Sequence, residues 1–146
     1  MLQKIQPKDY EFFKQLLPQL TLIQFESLMK GNFGYLLCEK QSKPLGILTF
    51  SILWEKFPFV QHLIIISEKR NQGYGTKALI EFEKQMKEDG YKMMLLSTQA
   101  DEKAQFLYRK LGYIDCGGLI LENTPYDQPI EIFFKKNLKK TTKLLQ

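Results

Sequence analysis

The segment whose residues point most clearly to a chemical function is a glycine-containing turn that joins an apolar run to an amphipathic stretch. The apolar run is Leu63–Ile66, and the turn is Arg70-Asn71-Gln72-Gly73-Tyr74-Gly75. The first backbone N–H groups of a helix lack intrahelical acceptors, and the helix dipole favours negative charge there. Gly73 and Gly75 have no Cβ, so an anion can approach the main chain closely. Lys69, Arg70 and Lys77 add positive charge nearby, so this turn predicts a phosphate-binding site.

Two common phosphate motifs do not match this turn. It lacks the Gly-Lys-Ser/Thr ending of a P-loop, and it has one glycine too few for a dinucleotide-binding GxGxxG pattern. A strand-to-helix turn without any ligand is the alternative interpretation, because glycine is frequent in such turns.

Two other side chains can transfer protons. His62 is the only histidine and titrates near neutral pH, although a purely structural histidine on a half-buried strand is the alternative. Tyr108 lies in a predicted helix and can act as an acid. It shares a helix face with Ala104, Leu107 and Leu111, so a core aromatic is the alternative for this residue.

Apolar periodicity and turn residues predict the elements that position these groups. The predicted order is a strand, two helices, three strands, a helix, a strand, a helix and two strands, which is typical of an α/β fold with a mixed sheet and helices on both faces. Strands are predicted at residues 2–6, 33–39, 45–53, 60–66, 91–98, 113–122 and 130–136. Helices are predicted at 9–17, at 20–30, from Gly75 to Gly90, and at 101–111, with Asp9 and Asp101 as N-caps. A hairpin turn is expected around 41–44 and a loop around Pro58.

The length of 146 residues fits one domain, which we assign to residues 1–138, followed by a basic tail at 139–146. The net charge is +5, and residues 135–146 hold five lysines and no acid. The remaining 16 basic residues balance the 16 acidic ones, so the charge predicts a solvated C-terminus rather than a nucleic-acid-binding protein.

Several classes of protein are excluded by the sequence pattern. No apolar run approaches the roughly 18 residues that a membrane span needs, and the first residues lack a signal-peptide apolar region. Cys38 and Cys116 lie far apart without CxxC spacing, which predicts neither a disulfide framework nor a metal site. We therefore expect a cytoplasmic protein without a metal or a membrane partner.

Two ordered motifs carry a family resemblance. Arg70–Gly75 resembles the Arg/Gln-x-x-Gly-x-Gly/Ala signature of the GNAT superfamily of acetyl-CoA-dependent N-acetyltransferases. Ala104–Tyr113 resembles that family's second motif, in which a helical tyrosine precedes Lys-x-Gly-aromatic. The motifs lie 38 residues apart, from Arg70 to Tyr108, and the family's order of elements matches almost the whole chain.

The resemblance implies roles for these residues. The main chain of Asn71, Gln72, Gly73, Tyr74, Gly75 and Thr76 would bind the pyrophosphate of CoA. Leu63, Ile64 and Ile65 would pair with the pantetheine arm, which enters between splayed fourth and fifth strands, and an N–H of that stretch would stabilise the oxyanion. Tyr108 would protonate the departing thiolate. Asp101 stands where relatives often have an asparagine that touches CoA.

The general base and the acceptor stay open at this point. His62, Glu55, Glu122 and a water relay are alternative bases, since residues 95–98 supply no acid. The resemblance implies an acceptor face built from the first two helices and from residues 123–129, for which the chain offers acids and aromatics: Glu26, Glu122, Asp127, Phe25, Phe33, Trp54, Phe57, Phe59 and Tyr126.

The function predicted from the sequence is therefore transfer of an acetyl group from acetyl-CoA to a small-molecule or protein amine. A non-catalytic acyl-CoA-binding or sensor module on the same fold is the alternative. A homodimer is also compatible with the sequence, with Ile132-Phe133-Phe134 as an edge strand, but core packing explains these residues equally well.

Overall fold

The computed structural model of the chain describes residues 1–40 and 43–138. Its strands are β1 (Leu2–Lys4), β2 (Gly34–Cys38), β3 (Pro44–Leu53), β4 (Phe57–Ile65), β5 (Met93–Gln99), β6 (Ile114–Leu119) and β7 (Glu131–Asn137). Its helices are α1 (Tyr10–Leu16), α2 (Leu22–Gly31), α3 (Tyr74–Glu88) and α4 (Ala104–Lys110), with 3-10 turns at Pro7–Asp9 and Ser67–Lys69. The order of strands and helices is the predicted one.

The chain divides into two compact units. The first comprises Met1–Ser51 and Val60–Gln85, and the second comprises Ile52–Phe59 and the chain from Met86 onward. The assignment of residues 1–138 to a single domain stays a prediction, and the basic tail at 139–146 lies outside the described residues.

Local capping explains the helices of the first unit. Thr21 caps α2 by accepting a hydrogen bond from the backbone N–H of Gln24, whose side chain in turn accepts from the N–H of Thr21. Asn32 ends α2 in the left-handed conformation, with φ of 58°. Asp9 is the N-cap residue of α1, as predicted, but its carboxylate accepts from the N–H of Gln6 rather than from an N–H of α1.

The core of the first unit forms where α1 and α2 contribute aromatic rings. Phe13 is fully buried and Phe25 is 1% exposed, and their ring centroids lie 5.4 Å apart with an edge-to-face tilt. Leu36 of β2 and Ile47 of β3 belong to the same cluster. Antiparallel pairing of β1 with β2, and of β2 with β3, holds these strand residues in place.

In the second unit, β7 pairs with both β5 and β6. Leu96 lies opposite Phe134 and Ser97 opposite Phe133 in the β5–β7 ladder, and β6 pairs with β7 along its other edge. The prediction that Ile132-Phe133-Phe134 supplies an edge is therefore wrong, because β7 lies between two partners and β6 is the edge of this group of strands. Phe134 is fully buried, which core packing explains.

The turn before β4 also differs from the sequence prediction. Pro58 lies inside β4 rather than in a loop, and the chain reverses at Trp54–Lys56, where Trp54 and Glu55 adopt left-handed φ angles of 53° and 59°. Neither residue type favours such a conformation, so the sequence carried no turn signal there. Of the hairpin turn expected at 41–44, residues 41 and 42 lie outside the described part of the chain.

Phe13→Ala tests the core of the first unit. We expect a loss of about 3–5 kcal/mol in the free energy of unfolding, because the ring is fully buried and its removal leaves a cavity. Urea denaturation measures the change. Ile80→Ala on α3 is the control, because Ile80 is 51% exposed and its truncation should change stability by less than about 0.5 kcal/mol. Equal losses for both variants would contradict this assignment of the core.

Candidate functional site

The predicted phosphate turn joins β4 to α3 in the first unit. After β4 ends at Ile65, the chain makes a 3-10 turn and reaches α3 at Tyr74. Asn71 and Gly73 adopt left-handed φ angles of 60° and 85°, which a glycine or an asparagine tolerates best. The N–H of Lys77 donates to the carbonyl of Gly73 at 3.0 Å and so forms the first hydrogen bond of the helix.

The backbone N–H groups of this turn lack acceptors among the described residues. Within residues 1–40 and 43–138, none of the N–H groups from Asn71 to Thr76 donates a hydrogen bond. A Cβ added to Gly73 would meet nothing within 4 Å, so open space lies beside the main chain at this residue. Donors without partners at the positive end of a 15-residue helix are suited to binding an anion.

Side chains stiffen the turn. The Nε of Arg70 donates to the carbonyl of Ile65 at 2.9 Å, and the Nε2 of Gln72 donates to the carbonyl of Glu68 at 3.2 Å. The side chain of Arg70, predicted to add positive charge, therefore also fixes the turn to the end of β4.

Glu39 is a residue of this site that the sequence did not suggest. Its carboxylate accepts a hydrogen bond from the hydroxyl of Tyr74 and lies 3.4 Å from the Nζ of Lys69. The Tyr74 hydrogen bond lowers the pKa of Glu39, with a smaller contribution from Lys69, and the same bond raises the pKa of Tyr74. Lys69, which the sequence predicted to add positive charge near the turn, is thus paired with an acid.

The end of β4 lies tightly against β3. The N–H of Ile66 donates to the carbonyl of Leu45 at 2.8 Å, and Gly46 approaches the carbonyl of Ile64 so closely that a Cβ would clash with it. Ile65 is buried, whereas Leu63 and Ile64 are partly exposed. The predicted pairing of Leu63–Ile65 with the pantetheine arm, between splayed fourth and fifth strands, stays a prediction.

His62 lies in a cavity of about 480 Å³ in the first unit. The cavity lies against α2 and the loop before it, and no residue that lines it is an acid or a lysine or arginine. Its lining residues are Leu17, Gln19, Leu20, Ile23, Gln24, Ser27, Leu28, Thr49, Gln61 and His62. The side chain of His62 therefore lies among uncharged residues, and the glutamines Gln19, Gln24 and Gln61 supply amide groups.

Thr49 orients the imidazole of His62. The Nδ1 of His62 lies 2.9 Å from the Oγ1 of Thr49, a side chain that is only 1% exposed. Although His62 keeps contact with water, desolvation of the ring lowers its pKa below the ordinary value of 6.5. In the tautomer whose Nδ1–H donates to Thr49, Nε2 carries a lone pair that can accept a proton.

Tyr108 lies on α4 in the second unit. Its ring packs against Tyr113 and Phe134, with centroids 6.1 and 5.8 Å away. Burial raises the pKa of the phenol, and the negative charges of Glu102 and Glu131 raise it further. The hydroxyl has no hydrogen-bond partner among the described residues. A phenol held protonated with an uncommitted O–H can donate a proton, although the core contacts predicted as the alternative are present too.

The prediction for Asp101 as an N-cap is wrong. The residue before α4 is Lys103, and no side chain caps the helix. Instead, the carboxylate of Glu102 accepts from the hydroxyl of Thr98 and from the N–H of Gln99, both at 2.9 Å. Asp101 is exposed on the turn after β5, and its predicted contact with CoA stays a prediction.

The residues predicted for the acceptor face have different environments. Phe25 lies in the core of the first unit and so cannot line a binding face. Trp54 is 73% exposed and packs on Phe57 at 5.8 Å, while Phe59 packs on Phe133 at 5.7 Å. The remaining candidates are partly or fully exposed: Glu26, Phe33, Glu122, Tyr126 and Asp127. The alternative base Glu55 is exposed as well.

Neither a metal cluster nor a membrane-spanning helix is found in the described part of the chain. No group of three or more His, Cys, Asp or Glu side chains is arranged to hold a metal ion there. No helix within residues 1–40 and 43–138 has the length and apolarity that crossing a bilayer requires.

Solved structures share this fold over nearly the whole chain. The ribosomal-protein-S18-alanine N-acetyltransferase from Escherichia coli is 13% identical with a TM-score of 0.78, and the match covers 100% of this chain and 98% of that one. An aminoglycoside 6′-N-acetyltransferase in complex with coenzyme A is 14% identical with a TM-score of 0.74, covering 97% and 99%. The spermidine/spermine N-acetyltransferase SpeG from Vibrio cholerae is 14% identical with a TM-score of 0.79, covering 94% and 92%.

These likenesses define the class of fold as that of the acyl-CoA N-acyltransferases, and the predicted mixed seven-stranded sheet with helices is confirmed. The model of the acetyltransferase (GNAT) family matches residues 1–113 of this chain. The chain belongs to the acetyltransferase (GNAT) family, as the two sequence motifs predicted. Among curated proteins, no sequence matches it.

The titration of His62 tests its placement. We expect the midpoint of its ring-proton NMR signal to lie below pH 6.5, because desolvation disfavours the charged ring. The signal is unambiguous, since the sequence holds one histidine.

The same pKa shift predicts a pH dependence of stability. The unfolded chain binds the proton more readily than the folded one, so stability should fall as pH drops below 6.5, and His62→Gln should flatten this slope. A midpoint at or above pH 6.5 would contradict the desolvation of the ring.

Proposed function

We propose that the protein transfers an acetyl group from acetyl-CoA to an amine. The observation that carries this proposal is the row of unpartnered N–H groups from Asn71 to Thr76 at the start of α3. Membership of the GNAT family and the likeness to a CoA-bound acetyltransferase support the same function.

In the proposed complex, the pyrophosphate of CoA accepts hydrogen bonds from the main chain of Asn71–Thr76. Binding a dianionic group there satisfies donors that otherwise face only water and uses the positive end of the helix dipole. Lys69 and Lys77 strengthen the attraction, and Lys69 is released from Glu39 as the phosphates arrive. Leu63–Ile65 pair with the pantetheine arm in this proposal.

The proposed reaction is direct attack of a neutral amine on the thioester. The nitrogen lone pair forms the new C–N bond to the carbonyl carbon, and the C–S bond breaks. The nitrogen loses a proton to Nε2 of His62, which its lowered pKa keeps neutral, and Tyr108 gives its proton to the departing thiolate. The products are an acetylamide and CoA. Glu55, Glu122 and a water relay stay alternative bases.

Structural neighbours guide the choice of acceptors to test. Their names specify the alanine of a ribosomal protein, aminoglycosides and spermidine or spermine, all of which present an amine. We propose an amine of a small molecule or of a protein as the acceptor. A cytoplasmic location and a homodimer stay predictions; the two free thiols, Cys38 and Cys116, agree with the first.

The function itself is tested by binding and turnover. Calorimetry should detect acetyl-CoA binding, and a thiol reagent should detect release of CoA when an acceptor amine is added, after subtraction of the protein's own thiols. Binding of acetyl-CoA without turnover across a broad panel of amines would favour the non-catalytic acyl-CoA module. Absence of any heat with CoA or acetyl-CoA would remove both interpretations.

Gly73→Val tests the phosphate turn. We expect affinity for CoA to fall by about 10-fold or more, because a branched side chain strains a φ of 85° and occupies the space in front of the N–H groups. Gly90→Val is a matched control: Gly90 has a φ of 96° and equally open surroundings at the end of α3. Calorimetry with CoA compares the two variants. An equal loss in both would show a general effect of backbone strain and contradict the site.

Tyr108→Phe tests the proton donor. We expect kcat to fall by about 10- to 1000-fold with little change in CoA affinity, since the variant keeps the ring packing and loses only the hydroxyl. Steady-state thiol release and calorimetry measure the two quantities. If kcat is unchanged, Tyr108 has no part in the chemistry.

A further inference from the structure

In the second unit, the carboxylate of Glu131 on β7 contacts the neighbouring strand β5. The Oε2 of Glu131, the first residue of β7, accepts a hydrogen bond from the hydroxyl of Ser97 on β5 at 2.7 Å. Its Oε1 accepts from the Nε2 of Gln128 at 2.8 Å. The carboxylate is partly buried and held at both oxygens, so its position is well defined.

Strand register places this carboxylate beside an aromatic surface. Glu131 lies opposite Gln99, and Phe133 lies opposite Ser97. Residues two apart on a strand point to the same face, so Glu131 and Phe133 share a face with Ser97. The ring of Phe59 packs on Phe133 with centroids 5.7 Å apart. An anionic group and an apolar wall therefore lie side by side.

The charge of Glu131 has no cationic partner in the protein. Over residues 1–40 and 43–138, no Lys, Arg or His side chain forms an ion pair with it. Its two hydrogen-bond donors, a hydroxyl and an amide, are both neutral. A carboxylate offers about four lone-pair sites, so it retains capacity for further donors. By contrast, Glu39, Glu81 and Asp115 are each paired with a positive group.

Resting on the acetyl transfer proposed above, we propose that Glu131 binds the ammonium group of the acceptor. The substrate class is then a cationic amine whose ammonium lies next to an apolar group. An ammonium has three N–H donors. One bonds to Glu131 and remains in the product amide, a second proton passes to solvent so that the nitrogen gains the lone pair needed for attack, and the base takes the third proton once the C–N bond has formed. A charge-assisted hydrogen bond of this kind holds the acceptor more strongly than a neutral one.

The proposal distinguishes charged from neutral acceptors. Phenethylamine is an ammonium at neutral pH, whereas 4-ethylaniline has the same formula and is uncharged. In the Glu131→Gln variant, KM for phenethylamine should rise by about 10- to 100-fold, while KM for 4-ethylaniline should change by less than about 3-fold. Glutamine preserves the shape of the side chain and an acceptor for Ser97, so a purely structural role would affect both amines alike.

Glu88→Gln is the matched control. It removes one exposed carboxylate from the same unit by the same substitution, and both KM values should stay unchanged. Equal changes for the two amines in Glu131→Gln, or a phenethylamine effect of the same size in Glu88→Gln, would overturn the proposal.

A binding measurement separates this proposal from the proposed function. Saturation-transfer NMR with phenethylamine should give a signal with the wild-type protein that Glu131→Gln loses and Glu88→Gln retains. If no amine is acetylated but this pattern holds, the acetyl transfer fails and the ammonium site stands. If amines are acetylated but phenethylamine binds all three proteins equally, or does not bind the wild type, the ammonium site is overturned.

Discussion

The site depends on a helix whose first N–H groups point into open space. Six consecutive donors, from Asn71 to Thr76, have no acceptor in the described chain. Two hydrogen bonds fix the start of this turn. The side chain of Arg70 donates to the carbonyl of Ile65, and the N–H of Ile66 donates to the carbonyl of Leu45 in β3. The end of β4, followed by left-handed Asn71 and Gly73, leaves these donors available to the phosphate that we propose.

The two proton-transfer candidates share one physical cause for their altered acidity. Loss of solvent disfavours the charged form of each group, and this lowers the pKa of His62 and raises the pKa of Tyr108. Both shifts favour the neutral form of the group, which is the form that the proposed base and the proposed acid need. Amine attack on a thioester needs both, since one proton leaves the nitrogen and one must reach the sulfur.

Local charge matters in this protein because, without the lysines of residues 135–146, its acids and bases balance. The two carboxylates that stand out differ in their partners. Glu39 is paired with Lys69 and bonded to Tyr74 beside the start of α3. Among the described residues, Glu131 is held by the neutral donors Ser97 and Gln128 alone, which leaves its charge for the cation that we propose.

The sequence by itself determined the order of elements, the glycine-containing turn between β4 and α3, and the family, because these follow from local periodicity, from glycine spacing and from two short motifs. It misjudged the turn at Trp54–Glu55 and the cap at Asp101, and it did not show that the Asp9 carboxylate bonds to Gln6, since left-handed φ angles and side-chain partners depend on surrounding packing. Only the tertiary structure decided that Thr49 orients His62 and that Glu131 reaches Ser97. In each pair the two residues lie on different strands. Strand register, which no local pattern encodes, brings them within hydrogen-bonding distance.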